Sequence, residues 1–150
     1  MAMTMKGEAT LPASKQTVWE KLNDPAVLKE SIPGCQALEK TSDTSFSAPA
    51  KIKVGPVSAT FKGNVELTDL DPPNGYKISG QGEGGVAGFA KGGARVALTD
   101  APGGGTILGY DVEANVGGKL AQLGGRLIDG VAKKNADSFF AKFAEVVARG

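Results

Sequence analysis

The chain has no histidine and one cysteine, Cys35. Without imidazole it lacks the commonest general base and metal ligand, and every Ser-His or Cys-His nucleophile arrangement is excluded. A lone thiol without histidine leaves zinc and haem no plausible ligand set. It also excludes an internal disulfide framework, so a reducing, cytoplasmic setting is expected. Neither sign of charge dominates: 17 Lys and Arg face 16 Asp and Glu, for a net +1. That balance carries no overall electrostatic footprint for nucleic acid and no strong field toward an anionic membrane. No apolar run reaches the roughly 18 residues needed to cross a bilayer. The opening residues MAMTMKGEATL lack the apolar stretch of a signal peptide. Carboxylate, Lys or Tyr catalysis stays open chemically, but nothing in the sequence groups those residues.

What is present is alternation. The 150 residues suit one domain, spanning the whole chain, with Met1 to Thr4 expected as a loose leader. Met5 to Leu11 reads as a first strand. Ser14 is placed to cap a helix through SKQTVWEKLND, with Val18, Trp19 and Leu22 inward. Asp24-Pro25 breaks it, PAVLKES forms a second short helix, and Pro33-Gly34 turns the chain. From Phe46 the period is two. Strands are expected over Phe46–Val54, Val57–Leu67, Tyr76–Gly84, Ala90–Leu98 and Thr106–Val116, with turns at Gly55-Pro56, Asp71–Gly75 and Thr99–Gly105. Such alternation belongs to an antiparallel sheet with one covered and one wet face. Leu120, Leu123, Leu127, Val131, Phe139, Phe143 and Val146 then recur at helical spacing. A single helix from Lys119 to Ala148 would run roughly 45 Å. The order of elements is that of an α+β fold.

The covered face of the strands carries no charge, and it is small. Ala48, Ala50, Ala59, Gly63, Gly80, Gly82, Gly84, Ala90, Gly92, Ala94 and Ala114 all fall on it. Dry cores are normally filled by branched and aromatic side chains. Either the helix packs very close, helped by its own Gly124, Gly125 and Gly130, or space remains for an uncharged, largely apolar ligand. The hydroxyls of Tyr76, Tyr110 and Thr106 are the polar groups placed inside.

Other motifs read more plainly. Gly80–Gly85 satisfies G-x-G-x-x-G but lies between antiparallel strands, where the dinucleotide fingerprint needs a strand entering a helix. It marks bulges, a bend, or a loop over a cavity mouth. Cys35 reads as a small buried hydrophobe. Asp111 and Glu113 fall on the wet face with Asn115, and Arg126, Asp129 and Lys133 suit surface pairs. Phe140 faces away from the Phe139–Phe143 stripe, which suggests either an outward contact or packing under the first strand.

The stretch Gly88-Phe89-Ala90-Lys91-Gly92-Gly93-Ala94-Arg95-Val96, with Gly105-Thr106, Tyr110 and Val112, resembles the CoxG family, named for the G subunit of carbon monoxide dehydrogenase. So does Val116-Gly117-Gly118-Lys119-Leu120-Ala121-Gln122-Leu123-Gly124 with Arg126-Leu127-Ile128 and Phe139-Phe140. PASKQTVWEKLNDPAVLKESIPGC agrees at the front. The broader pattern resembles START-like (SRPBCC) helix-grip domains. That resemblance implies a curved antiparallel sheet of about six or seven strands wrapped around a long C-terminal helix, with two short helices after the first strand. Such a fold usually encloses an apolar cavity. The resemblance also implies a non-enzymatic accessory of a molybdenum hydroxylase of the carbon monoxide dehydrogenase type. Such a protein would bind a quinone or other apolar small molecule and help link the enzyme to the membrane electron-transport chain. No metal and no tightly required cofactor is implied.

Many family members end in a long C-terminal extension with a membrane-binding segment. This chain stops at Gly150, so anchoring by that route is not expected. The residues expected to wall the pocket are Trp19, Phe46, Ile52, Phe61, Val65, Tyr76, Phe89, Val96, Leu108, Tyr110, Leu123, Leu127 and Val131. Two other readings stand beside this one. One is a solid-core interaction module that docks a partner enzyme or a second copy. The other is a START-like cyclase or hydratase, against which the missing histidine and the charge-free inner face weigh.

Overall fold

Alternation and turn chemistry produce the sheet. A computed structural model describes residues 2–32, 34, 35 and 37–149, and for Ile52 the backbone alone. Pro33 and the Ile52 side chain, both singled out in the sequence, thus lie outside what is described. The strands are β1 (Ala2–Leu11), β2 (Glu39–Ser42), β3 (Ser45–Val54), β4 (Val57–Asp71), β5 (Gly75–Glu83), β6 (Phe89–Asp100) and β7 (Thr106–Gly117). They form one antiparallel sheet in the order β1-β7-β6-β5-β4-β3-β2. Ala2 to Thr4 are not a loose leader: they pair with Asn115, Ala114 and Glu113 of β7. β2 escaped the sequence reading because Glu-Lys-Thr-Ser is exposed throughout and has no apolar alternation.

Local capping sets the two short helices. In α1 (Lys15–Leu22), the Thr17 amide donates to the Ser14 hydroxyl at 3.3 Å. In α2 (Pro25–Ser31), the Ala26 amide donates to the Asp24 carboxylate at 2.9 Å, and Pro25 occupies the first turn, where its missing N–H costs nothing.

The C-terminal helix is not continuous. A one-turn helix α3 (Lys119–Gln122) ends at Leu123, and α4 (Gly125–Ala148) begins after Gly124, whose φ of +91° no helix accommodates. The break changes the phase of the stripe. Leu120 stays buried, but beyond the break Ile128 turns inward and Leu127 is 37% exposed. From there Phe143, Val146 and Val147 are buried, with Phe139 and Phe140 partly covered. Phe140 does not face outward. Its ring stacks on Tyr110 of β7 at 5.1 Å and 18°, and meets Phe139 edge-on at 5.1 Å.

The backbone of α4 comes nearest to α2 and β1, then to β3 and α1. It therefore bridges the two flanks of the sheet, while β7, β6, β5 and β4 arch beneath. Lys142 and Arg149 both reach Glu30 of α2, at 3.7 and 3.2 Å, and tie the end of α4 down. Each such exposed pair is worth little alone. The fixing comes from Phe143, fully buried beside Leu11, Val18, Leu108 and Val147.

Candidate functional site

The inner face of the sheet reads in cross-strand rows. One row runs Ala48, Gly63, Gly82, Ala90, Val116. The next runs Phe46, Val65, Gly80, Gly92, Ala114, Met3, and the next Leu67, Ile78, Ala94, Val112, Met5. Large buried residues gather on either side of this small-residue waist. One cluster holds Phe46, Tyr76, Val96, Leu98, Leu108 and Phe143, against α1, α2 and the end of α4. The other holds Val54, Phe61, Ala87, Val116, Leu120 and Ile128, at the α3 end. Between them Gly63, Val65, Ile78, Gly80, Gly82, Ala94, Val112 and Ala114 keep partial exposure on the face that α4 overlies.

The glycines decide between close packing and space. A Cβ at Gly63 or Gly82 would meet nothing nearer than 3.5 or 3.8 Å. A Cβ at Gly124, Gly125 or Gly130 would have no heavy atom within 4 Å, so the helix glycines do not serve close approach to the sheet. Other glycines are tightly used: a Cβ at Gly84 would lie 2.7 Å from the Phe61 ring, and one at Gly7 would lie 2.6 Å from the Tyr110 hydroxyl. The G-x-G-x-x-G run contains no bulge, because Gly80 and Gly82 hold regular register on both sides. The bend starts on its last glycine, Gly85 at φ +59°, in the 3-10 turn Gly85–Ala87.

The expected wall residues separate into groups. Phe46, Tyr76, Val96 and Leu108 belong to the first cluster, with Trp19, Val65 and Tyr110 packed against it. Phe61 belongs to the second, with Leu123 and Val131 against it. Phe89 and Leu127 are not wall residues: they are 48% and 37% exposed. The phase that turns Ala90 inward turns Phe89 outward, and its ring covers Gly117 from outside. The missed lining is Ile78, Val112, Met5 and the small residues of the waist. Their signal is the alternation itself, which places all but Met5 on the covered face.

Two polar groups remain available to the waist. Tyr76, Val96, Tyr110 and Gly7 share one row. Among the described residues neither phenol forms a hydrogen bond; each makes a ring contact, Tyr76 edge-on to Trp19 at 5.4 Å and Tyr110 to Phe140. Burial holds the Tyr76 phenol well above its ordinary value of 10.0, so it is a neutral donor at any physiological pH. Thr106 is not available: its hydroxyl donates to the Ala13 carbonyl at 2.7 Å and anchors the turn into α1. Cys35 is half-buried and its thiol bonds the Ala37 carbonyl at 3.2 Å. Burial pushes that thiol up, against a backbone hydrogen bond at Ala37 and the charge of Lys29. Asp111 and Glu113 lie exposed on the outer face. Lys133 pairs with Asp137 at 3.6 Å, and no ion pair joins Arg126, Asp129 and Lys133 among the described residues. No group of three or more His, Cys, Asp or Glu among them is arranged to hold a metal ion.

The family model for CoxG, the G subunit of carbon monoxide dehydrogenase, matches residues 7–148. The chain belongs to the CoxG family. A conserved protein of Geobacillus kaustophilus is similar at 35% identity and a TM-score of 0.92, with 98% of this chain and 96% of that one covered. A START superfamily protein of Mycobacterium smegmatis is similar in fold at 12% identity and TM-score 0.73, with 97% of each chain covered. The aromatase/cyclase ZhuI of Streptomyces sp. R1128 follows at 14% and 0.71, with 99% and 95% covered. The last two likenesses establish the START-like fold alone. No curated protein matches the chain. Within this CoxG domain the helix-grip arrangement is the one expected, with seven strands and a jointed C-terminal helix. No helix among the described residues is long and apolar enough to cross a membrane.

Proposed function

We propose that this CoxG-family chain is a non-enzymatic, cytoplasmic accessory of a molybdenum hydroxylase of the carbon monoxide dehydrogenase type, and that its waist holds a flat apolar molecule of the quinone class. The observation that carries the reading is the waist itself: rows of glycine and alanine between two packed clusters, with room for a side chain at Gly63 and Gly82. The three rows span about 13 Å along the strands at about 3.3 Å per residue. Val65, Ile78 and Val112 offer apolar contact, and Tyr76 and Tyr110, in the row beside Ile78 and Val112, are the phenols that would donate to a quinone carbonyl. A neutral donor stabilises a carbonyl oxygen without charge transfer, which suits carriage rather than turnover. The sequence contains no histidine, and Asp111 and Glu113 are exposed to solvent, so neither imidazole nor that carboxylate pair serves the waist as an acid–base group. The partner enzyme follows from the family's description, and the place beside the cytoplasmic membrane follows from where such an enzyme's electrons would go.

Organic extraction of the purified protein with mass spectrometry tests occupancy. Titration with a short-chain quinone, read by quenching of Trp19, the chain's one tryptophan, tests capacity. Saturable quenching with near-unit stoichiometry, weakened in Tyr76→Phe, supports the proposal. No retained quinone and no saturable uptake by folded protein would sink it.

A further inference from the structure

The sheet ends differently at its two edges. At one, β2 is four residues long, and beyond it the segment after α2 covers β3. Cys35 bridges to Ala50 there, and the Lys51 amide donates to the Gly34 carbonyl at 2.9 Å. At the other edge β1 runs ten residues in unbroken register with β7, with no proline and no bulge. Among the described residues, the backbone of Ala2–Leu11 hydrogen-bonds to β7 alone; α4 lies close to β1 without bonding it. Lys6 and Glu8 are exposed and form no ion pair among those residues, although Asp111 of β7 stands opposite Lys6. A long, regular, unbonded edge is a template for another strand, and proteins ordinarily blunt one with short strands, bulges or proline.

We infer that β1 pairs with β1 of a second copy, antiparallel about a twofold axis at Gly7, joining the two sheets into one. The strand itself selects both the occupant and the register. Covered residues of one copy must stand beside covered residues of the other, so odd positions meet odd and even meet even. Centred on Gly7, such a pairing sets Lys6 opposite Glu8 of the second copy, and symmetry forms that pair twice. Thr4 then meets Thr10, and Met5 meets Ala9. Moving the centre to Lys6 or to Glu8 brings like charges face to face. This complementarity of the strand with itself favours a second copy over a strand of another protein. The added strand would also flank Met3 and Met5, the half-buried residues in which two rows of the waist end.

Sedimentation equilibrium from micromolar to millimolar protein tests the pairing. Wild type should dimerise as concentration rises, and hydrogen exchange of the β1 amides should slow with it. Lys6→Glu and Glu8→Lys each turn both opposed pairs into like-charge pairs, so each variant alone should associate roughly tenfold more weakly. Mixed in equal amounts they should regain wild-type association, because every introduced charge then faces its opposite in the mixed dimer. Both positions are exposed, so each variant should melt like wild type in dilute solution. A wild type that stays monomeric at millimolar concentration overturns the inference. So do dimers that neither reversal weakens, which would join elsewhere, and a mixture that associates no better than its components.

Discussion

Filling the waist from below gives opposite signs for a chamber and for a packed core. Gly82→Val is the substitution of choice. A Cβ there would meet only the Lys62 carbonyl at 3.8 Å and Phe61 Cβ at 3.9 Å, which is ordinary van der Waals contact. Replacing glycine removes unfolded-state freedom worth about 0.4–1 kcal/mol where the native backbone tolerates a side chain. A β-branched residue in a strand, half covered in the waist, adds about 0.5–1 kcal/mol more. The net expectation is a gain of about 1–2 kcal/mol, or roughly 3–6 °C in Tm for a chain of this size. In a core already filled, the same insertion costs about 1–3 kcal/mol. Gly92→Ala is the internal control: its Cβ would run into the Glu113 carbonyl and sit 2.6 Å from Ala114 Cα, so it should lower Tm. Thermal unfolding followed by circular dichroism reads both, and quinone titration of the valine variant should show lost uptake. A fall in the Tm of Gly82→Val comparable to that of Gly92→Ala would refute the open waist.

Three further outcomes are expected. Thr106→Val strands the Ala13 carbonyl beside a fully buried site and should cost about 1–3 kcal/mol in denaturant unfolding. Tyr76 is neutral when folded, and its pKa is raised above the unfolded value of 10.0, so its contribution to stability is complete below pH 10 and is lost as pH climbs beyond it. Tyr76→Phe should flatten that alkaline decline in a pH series of urea midpoints. Phe140→Ser removes a ring stacked on Tyr110 and edge-on to Phe139, so it should cost about 2–4 kcal/mol and act as a folding variant rather than a clean docking one.

The five strands from Phe46 onward are legible because each carries period-two alternation over nine or more residues, and the inner phase holds at every described side chain. α2 was legible to the residue because Asp24-Pro25 starts it unambiguously. The C-terminal helix misled because its stripe was extended through Gly124 as if phase were conserved. The positive φ at Gly124 shifts the phase locally, exchanging Leu127 for Ile128, while Val131, Phe139, Phe143 and Val146 keep the covered side and Phe140 stacks on Tyr110 of β7. The site was half legible. Alternation marks the small residues as covered, whereas most of the large side chains expected as walls form the packed clusters at either end or pack against them. What encloses a space is less informative in sequence than what leaves it empty.

The joint at Gly124 makes α4 a beam clamped at one end. Phe143 and the Glu30 contacts fix the distal part, while Leu127 lies sixteen residues away, about 24 Å at about 1.5 Å per residue. A tilt of about 5° at the clamp therefore moves the near end by about 2 Å, with the joint taking up the strain. On the proposed ligand reading, such a tilt would open the waist from the α3 end, displacing the packing of Ile128 and its neighbours while the sheet ladder stays intact.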